Sequence, residues 1–229
     1  MKRNSKAMTK LSKYKEKIPK SVYEIISHQV GELRPAQMKA INSGLFNDKN
    51  LLVCTPTASG KTLVAEMGFL YTILEKKKKA VYVVPLRALA SEKYKEFREK
   101  YEKYGLRIAI STGDFDSDDA YLKAYDLIIT TSEKLDSLLR HKAPWLNSVG
   151  LLIIDEIHLL NDASRGPTLE MVITLIRMLI DPQIIALSAT IGNPEELAEW
   201  LNAILIYDEW RPVKLYKGIM INHELEFYE

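Results

Sequence analysis

Short apolar runs alternate with helix-like stretches through most of this 229-residue chain. The runs favour buried strands, because they are short and rich in β-branched and aliphatic residues. Strands that alternate with helices imply right-handed crossovers and a mainly parallel sheet with helices on both faces. The predicted strands lie near 51–54, 80–84, 107–110, 126–130, 150–154 and 183–187, and the predicted helices at 20–29, 34–46, 61–75, 87–103, 132–140, 167–180 and 194–203. We therefore expect an α/β fold.

Composition and charge narrow the class of protein. A hydrophobic content of 47% at this length suits one domain with a sizeable core. The net charge is only +2, so any surface that binds nucleic acid must be local. The single cysteine, Cys54, excludes an intramolecular disulfide and favours an intracellular protein. No apolar run approaches the roughly 18 residues that span a bilayer, and the lysine-rich N-terminus is unlike a secretory signal, so we expect a cytoplasmic protein without membrane contact.

A Gly-Lys-Thr sequence follows the first of these predicted strands, in the loop Thr55-Pro56-Thr57-Ala58-Ser59-Gly60-Lys61-Thr62. A strand, such a turn and then a helix aim backbone N–H groups at the phosphates of a nucleotide. Lys61 can contact the β- and γ-phosphates, Thr62 can offer its hydroxyl to Mg²⁺, and Gly60 lets the backbone approach closely. The strict phosphate-loop pattern has glycine where this chain has Thr55, so the loop matches that pattern incompletely.

An acidic pair, Asp155 and Glu156, follows the apolar run at 151–154. Such a pair can supply one carboxylate for Mg²⁺ and another for the attacking water in phosphoryl transfer. Acidic residues at a strand end are common, so this pair indicates a nucleotide site only in combination with the phosphate loop that precedes it. Ser188 and Thr190 follow another apolar run and could sense the γ-phosphate, although hydroxyls at strand ends usually make turn hydrogen bonds. We predict a magnesium-nucleotide site with Lys61, Asp155 and Glu156 as its catalytic residues.

The ordered set of motifs resembles the first motor domain of superfamily 2 helicases. The set comprises Leu33-x-Pro35-x-Gln37, the loop 56–62, and residues 85–89, 112–114, 131–134, 155–158 and 188–190. Within that superfamily, residues 113–117, 135–141 and 165–170 resemble the Ski-type group, including archaeal Hjm-type repair helicases. The resemblance covers nearly the whole chain and implies a RecA-like P-loop NTPase domain. Because the superfamily does not demand the first glycine, Thr55 fits it.

The resemblance implies roles for further residues near the nucleotide. Gln37 would read adenine, since a carboxamide can donate to N7 and accept from the N6 amine, so ATP would be preferred over GTP. A glutamine in the first turn of a helix that begins at Pro35 is the alternative interpretation. His158 would couple the γ-phosphate to Ser188 and Thr190.

The resemblance also implies a surface for nucleic acid at the predicted strand ends. Helix N-termini at such places bind backbone phosphates without reading base sequence. We expect single-stranded or branched DNA as the partner, through backbone contacts. The candidate contact residues are Arg87, Thr112, Gly113, Thr131 and Ser132.

Three segments are expected along the chain. Residues 1–17 have the composition of a basic, flexible arm that could add salt-sensitive affinity for DNA. Residues 18–206 would form the ATP-binding RecA-like domain, and residues 207–229 an edge strand or a linker toward a second motor domain of the same parent protein. In superfamily 2 that second domain carries the arginine finger, so the isolated chain is expected to bind ATP without unwinding a duplex.

Three interpretations of function stay open. The first is the motor domain of an ATP-dependent DNA helicase that acts in repair or at replication forks. The second is an RNA-remodelling helicase domain with the same core, although residues 113–117 favour DNA. The third is a nucleotide-gated binding module without a motor partner. A small-molecule kinase fits poorly, because Gln37 and residues 188–190 would have no role there.

Overall fold

A computed structural model describes residues 8–113, 119–213, 217–221 and 224–228 of the chain. The strands are β1 (Thr9–Lys10), β2 (Glu32–Leu33), β3 (Leu51–Cys54), β4 (Lys79–Val84), β5 (Ile108–Ser111), β6 (Leu127–Thr131), β7 (Val149–Ile154), β8 (Gln183–Ser188), β9 (Ile204–Tyr207), β10 (Lys217–Ile221) and β11 (Glu224–Tyr228). The α-helices are α1 (Lys20–Ser27), α2 (Pro35–Asn42), α3 (Lys61–Leu74), α4 (Arg87–Tyr101), α5 (Ser132–Arg140), α6 (Gly166–Leu179) and α7 (Pro194–Trp200). Short 3-10 helices lie at Leu11–Lys17, Glu102–Tyr104, Ala120–Ala124, Pro144–Ser148 and Ile157–Asn161.

The main sheet has seven strands in the order β5-β6-β4-β7-β8-β3-β9. Every neighbouring pair is parallel, which confirms the predicted α/β architecture. Parallel strands bring their carboxyl ends to one edge of the sheet, where ligands of such folds bind. The loops that carry the predicted motifs therefore lie along a common edge.

Helices cover both faces of this sheet. Along β3, Leu51 and Val53 belong to a core formed with α1 to α4, while Leu52 and Cys54 belong to a second core formed with α5 to α7. Burial on both faces explains why the strands are continuous apolar runs rather than alternating ones. Among the described helices, none combines the length and the apolar character that a membrane span requires.

A glycine in α3 sets how closely that helix approaches the sheet. A Cβ atom on Gly68 would lie 2.4 Å from Cδ1 of Ile185 in β8 and 3.4 Å from Cδ2 of Leu151 in β7. A larger residue would therefore require the Ile185 side chain, α3 or the sheet to move. Since α3 begins at Lys61, this contact helps to fix the phosphate loop against the carboxyl edge.

The folded part of the chain begins before Ile18, which corrects the prediction of a flexible arm at residues 1–17 where the structure describes them. Strand β1 pairs antiparallel with β2, and the N–H group of Leu11 donates to the carbonyl of Gly31 at 2.9 Å. The Leu11 side chain is 3% exposed and packs into the first core. The prediction rested on the mostly polar composition of this segment, and composition does not show that a single leucine is buried.

The chain after α7 also has more structure than an edge strand or linker. Strand β9 ends at Tyr207 and pairs in parallel with β3, so it forms one edge of the main sheet. Strands β10 and β11 form a separate antiparallel hairpin, with Lys217 opposite Tyr228. The predicted boundary at 206 therefore falls within the last strand of the main sheet.

Candidate nucleotide site

The phosphate loop lies between β3 and α3 and has two residues in the left-handed region of the backbone. These are Ala58, with φ of +63°, and Gly60, with φ of +91°. Thr55 is fully buried; its N–H group donates to the carbonyl of Ser188 at 3.3 Å, and its hydroxyl lies 2.6 Å from that of Ser59. Position 55 is thus a hydrogen-bonded anchor to β8, which explains why the loop forms without the first glycine.

Lys61 and Glu156 face each other across the site. The Lys61 Nζ atom lies 3.3 Å from Oε1 and 3.4 Å from Oε2 of Glu156. Glu156 is itself in the left-handed region, with φ of +54°, at the turn that follows β7. A side chain from the loop at 60 and one from the acidic pair therefore converge on one place, although 95 residues separate them in the chain.

Asp155 is fixed by two donors. Its Oδ2 atom accepts from the Tyr82 hydroxyl at 2.9 Å, and its Oδ1 atom accepts from the N–H group of Glu156 at 3.0 Å. Burial raises the pKa of Asp155, and the negative charge of Glu156 acts in the same direction. The Tyr82 hydrogen bond and the Lys61 charge oppose this rise without cancelling it. The Asp155 carboxylate is therefore less stable than that of an exposed aspartate, and a further cation close to it would stabilise it.

Thr62 and Asp155 are the predicted Mg²⁺ ligands. A hydroxyl and a carboxylate are hard oxygen donors of the kind that Mg²⁺ prefers, and Mg²⁺ usually takes its remaining ligands from waters and substrate phosphates. Among the described residues no cluster of three or more Asp, Glu, His or Cys side chains could hold a metal by itself. The donor set thus fits a magnesium ion that arrives with a nucleotide.

Gln37 makes contacts that the sequence did not predict. It is 3% exposed; its Oε1 atom accepts from the N–H group of Arg34 at 2.8 Å, and its Nε2 atom donates to the carbonyl of Gly60 at 2.9 Å. Both ends of the carboxamide that was expected to read adenine therefore have protein partners. In this state Gln37 caps the start of α2 and supports the phosphate loop. The spacing from Arg34 to Gln37, that of a capping box, is the signal that could have indicated this role.

A cleft of about 800 Å³ opens beside the phosphate loop. The residues that line it include Gly60, Thr62, Leu63, Glu66 and Lys100. Glu66 is 3% exposed and accepts from the Tyr101 hydroxyl at 2.6 Å and from Lys100 Nζ at 2.8 Å. The volume lies in the range of small-molecule sites. Sequence analysis did not single out Glu66 or Lys100.

The predicted coupling residues are only partly brought together. His158 Nδ1 lies 3.4 Å from Glu156 Oε2 but makes no hydrogen bond within the described residues. The Ser188 hydroxyl, at the end of β8, is buried and likewise has no described hydrogen-bond partner. Thr190 is exposed beyond that strand. The structure thus places His158 against the acidic pair, while its coupling to Ser188 and Thr190 stays a prediction.

The predicted nucleic-acid residues follow three neighbouring strands at the same edge. Arg87 begins α4 after β4, Thr112 and Gly113 follow β5, and Thr131 and Ser132 join β6 to α5. The Thr131 hydroxyl accepts from the N–H group of Lys134 at 3.4 Å, as an N-cap does. Of the stretch 113–117 that favoured DNA, residues 114–117 lie outside the described residues. The roles of these residues stay predictions.

A small cavity joins the two sets of predicted residues. Ser132 and Pro85 line it from the predicted nucleic-acid side, and Asp155 and Glu156 line it from the nucleotide side. Arg165, which immediately precedes α6, also lines this cavity. Within the sheet, this is the boundary between β4 and β7.

Comparison with known proteins adds relatives that share most of this chain. The chain is 57% identical over 202 residues to ATP-dependent DNA helicase Hel308 of Methanocaldococcus jannaschii, which covers 86% of this chain and 17% of that protein. It is 55% identical over 203 residues to the Hel308 protein of Pyrococcus abyssi, which covers 88% of this chain and 28% of that protein. This chain therefore spans less than a third of the length of these relatives.

Solved structures and a family model agree with these relatives. The crystal structure of the DUF1998 helicase MrfA bound to DNA and AMPPNP matches with a TM-score of 0.70 and 28% identity, over 85% of this chain and 30% of that one. The structure of MrfA bound to DNA alone matches with a TM-score of 0.69 and 27% identity over the same shares. The model of the DEAD/DEAH box helicase family matches residues 34–197, a span that contains every candidate site residue named above. The chain belongs to the DEAD/DEAH box helicase family, as the first motor domain of a superfamily 2 helicase.

Proposed function

We propose that this chain is the ATP-binding motor domain of an ATP-dependent DNA helicase that acts in DNA repair or at replication forks. The observation that carries the proposal is the approach of Lys61 to Glu156, with Asp155 beside them. The relatives that match most of the chain carry the name of an ATP-dependent DNA helicase, which supports DNA over RNA as the nucleic acid. We also propose that the parent protein acts in the cytoplasm, in association with DNA.

The geometry suggests how the site would handle a nucleotide. Lys61 would leave Glu156 for the β- and γ-phosphates, since both partners are anionic and the phosphates carry more charge. The freed Glu156 carboxylate could then orient or deprotonate the attacking water. Thr62 and Asp155 would hold the Mg²⁺ that accompanies the nucleotide and neutralises charge on its phosphates. In this scheme the Lys61–Glu156 pair holds the two catalytic side chains in place until substrate arrives.

Hydrolysis would need a second motor domain. In superfamily 2 helicases that domain supplies the arginine finger, and such a finger raises the rate by about 10³–10⁵. This factor corresponds to roughly 4–7 kcal/mol of barrier. We therefore propose that this chain alone binds MgATP weakly, turns it over negligibly and does not unwind DNA.

The DNA strand would run along the ends of β4, β6 and β5. Contacts there would come from Arg87, Thr112, Gly113, Thr131 and Ser132, with the N-termini of α4 and α5 directed at backbone phosphates. Such contacts carry no base sequence, so binding would depend on salt rather than on sequence. Comparing matched DNA and RNA strands of one sequence would test the choice of nucleic acid, and tighter binding of RNA would favour an RNA-remodelling domain.

Calorimetric titration with MgATP tests the nucleotide site directly. We expect the natural chain to bind and Lys61→Ala to bind roughly 10- to 100-fold more weakly, because hydrogen bonds between charged groups contribute about 1.5–3 kcal/mol. Lys95→Ala, which removes an exposed lysine from α4, serves as the matched control and should bind like the natural chain. No heat from the natural chain at millimolar nucleotide, or equal affinity in Lys61→Ala, would contradict the proposal.

A further inference from the structure

Arg34 holds the phosphate loop from outside the nucleotide site. It precedes α2, and its Nη1 atom donates to the carbonyl of Ala58 at 2.6 Å. A Cβ atom on Gly60 would lie 3.0 Å from both Cδ and Nη1 of Arg34, so the guanidinium packs directly against the loop. The loop is therefore connected to the start of α2 at Ala58 as well as through the bond from Gln37 to Gly60.

The same guanidinium contacts the segment that follows β9. The Arg34 Cζ atom lies 5.7 Å from the centroid of the Trp210 ring, within cation–π range. The backbone N–H group of Trp210 donates to Oδ1 of Asp208 at 2.8 Å, and Oδ2 of Asp208 is 2.8 Å from Lys39 Nζ on α2. Lys39 also donates to the carbonyl of Tyr207 at 2.7 Å. Residues 207–210 are thus fastened to α2, with Trp210 next to Arg34.

The Ala58 carbonyl, which Arg34 contacts, cannot rotate independently of the Ser59 N–H group, a donor that a bound phosphate would use. The carbonyl of Ala58 and the N–H group of Ser59 belong to one planar peptide unit. In this structure the Ser59 N–H group donates to the carbonyl of Pro56 at 3.2 Å, within the loop. A phosphate bound at the start of α3 recruits such N–H groups. Turning the Ser59 N–H group toward a phosphate rotates the Ala58 carbonyl, and this breaks its bond to Arg34.

From this geometry we infer that Arg34 is a positioning residue that links the occupancy of the phosphate loop to residues 207–210. In this structure Arg34 is held between the Ala58 carbonyl and the Trp210 ring. When the loop takes a triphosphate, Arg34 loses the Ala58 carbonyl and its contact with Trp210 changes. The inference rests on the proposed binding of MgATP, and it adds a route by which the nucleotide acts on the chain after the last strand of the sheet.

The fluorescence of Trp210 provides the test. Tryptophan emission depends on nearby charge, so we expect MgATP to change the emission of the natural chain when excitation avoids the absorption of adenine. The chain contains three tryptophans, so Trp210→Phe identifies the source, and the nucleotide-dependent change should be lost in that variant. Arg34→Ala should also lose the change, whereas Arg34→Lys, which keeps a cation able to reach the carbonyl and the ring, should restore part of it.

Calorimetry on the same variants separates positioning from direct contact with the nucleotide. If Arg34 holds the loop through the Ala58 carbonyl and does not contact the nucleotide, Arg34→Ala should bind MgATP no more weakly than the natural chain. Arg98→Ala, which removes an exposed arginine on α4, should keep both the binding and the emission change. A full emission change in Arg34→Ala, or a tenfold loss of its affinity, would overturn the inference. Binding by the natural chain without any Trp210 response would overturn it while leaving the proposed function intact; no binding at all would remove both.

Discussion

Asp155 is a residue whose charged form lowers the stability of the fold. Burial raises its pKa, so the native state binds a proton more tightly than the unfolded chain does. The stability that comes with protonation is fully present below the ordinary value of 3.8 and is lost as the pH rises through the higher folded pKa. Above that pKa the buried carboxylate lowers the stability of the fold, and the Tyr82 hydrogen bond and the Lys61 charge offset only part of this loss.

We predict that Asp155→Asn is more stable than the natural chain at pH 7, by roughly 0.5–2 kcal/mol, as is common when a strained functional group is removed. The gain should shrink toward zero as the pH falls below 4, where the natural Asp155 is protonated. Urea denaturation over a pH series, without nucleotide or Mg²⁺, measures this. The same variant should bind MgATP more weakly.

Asp126 provides a control, because its pKa is shifted in the opposite direction to that of Asp155. Burial alone would raise the pKa of Asp126, but the hydrogen bonds and charge of Arg107 outweigh burial and hold that pKa below its ordinary value. The stability from this pair is present above the ordinary pKa and is lost as the pH falls through the folded one. Asp126→Asn should therefore lose about 0.5–1.5 kcal/mol at pH 7. If both variants shift stability in the same direction at pH 7, the account of Asp155 is wrong.

At the scale of elements, the pattern of apolar runs predicted the central strands, which are buried on both faces. It failed where contacts distant in sequence determine whether a strand forms or where a helix ends. Strand β3 lies at 51–54 as predicted, because its four residues are all buried. Strand β9 was missed although Ile204–Tyr207 is a short apolar run; its pairing with β3 begins at a bond from the N–H group of Ile204 to the carbonyl of Asn50. Helix α2 was predicted to reach residue 46 and ends at Asn42, since Gly44 has φ of +101°.

The site shows the same division. Lys61 and Glu156 were predicted together because their chemistry requires a shared phosphate. The partners of Gln37 and the contact of Arg34 with Ala58 could not be predicted, because backbone carbonyls carry no residue-specific signal in a sequence. Sequence therefore predicted that Lys61 and Glu156 meet, but it did not predict which groups hold the phosphate loop in place.

The packing of α3 on the sheet gives an element-scale prediction. Gly68→Ala should lower the free energy of unfolding by about 1–3 kcal/mol, because the added methyl overlaps Ile185 in a packed core. Gly31→Ala is the matched control, since a Cβ atom there meets nothing within 4 Å and the expected change is within about 0.5 kcal/mol. Chemical denaturation of the three proteins measures both. Equal midpoints for Gly68→Ala and the natural chain would show that α3 can shift without strain.

At the scale of the whole molecule, residues 8–17 take part in the fold. Deleting residues 1–17 should destabilise the chain, because burial of Leu11 alone contributes roughly 1.5–3 kcal/mol and the pairing of β1 with β2 is also lost. Leu11→Ala in the full chain should reproduce a large part of the loss. Thermal unfolding compares the three forms, and an unchanged midpoint after the deletion would restore the interpretation of a flexible arm.

The order of the sheet has a consequence for how two ligands would sense each other. The predicted nucleotide residues follow β3, β7 and β8, the predicted DNA residues follow β4, β5 and β6, and the two groups meet where β4 pairs with β7. Paired strands are about 4.8 Å apart, which is shorter than the screening length of ~8 Å at physiological ionic strength. Two polyanions seated side by side on such an edge repel each other. Release of the γ-phosphate would remove part of this repulsion, so charge is one route by which the two sites would influence each other.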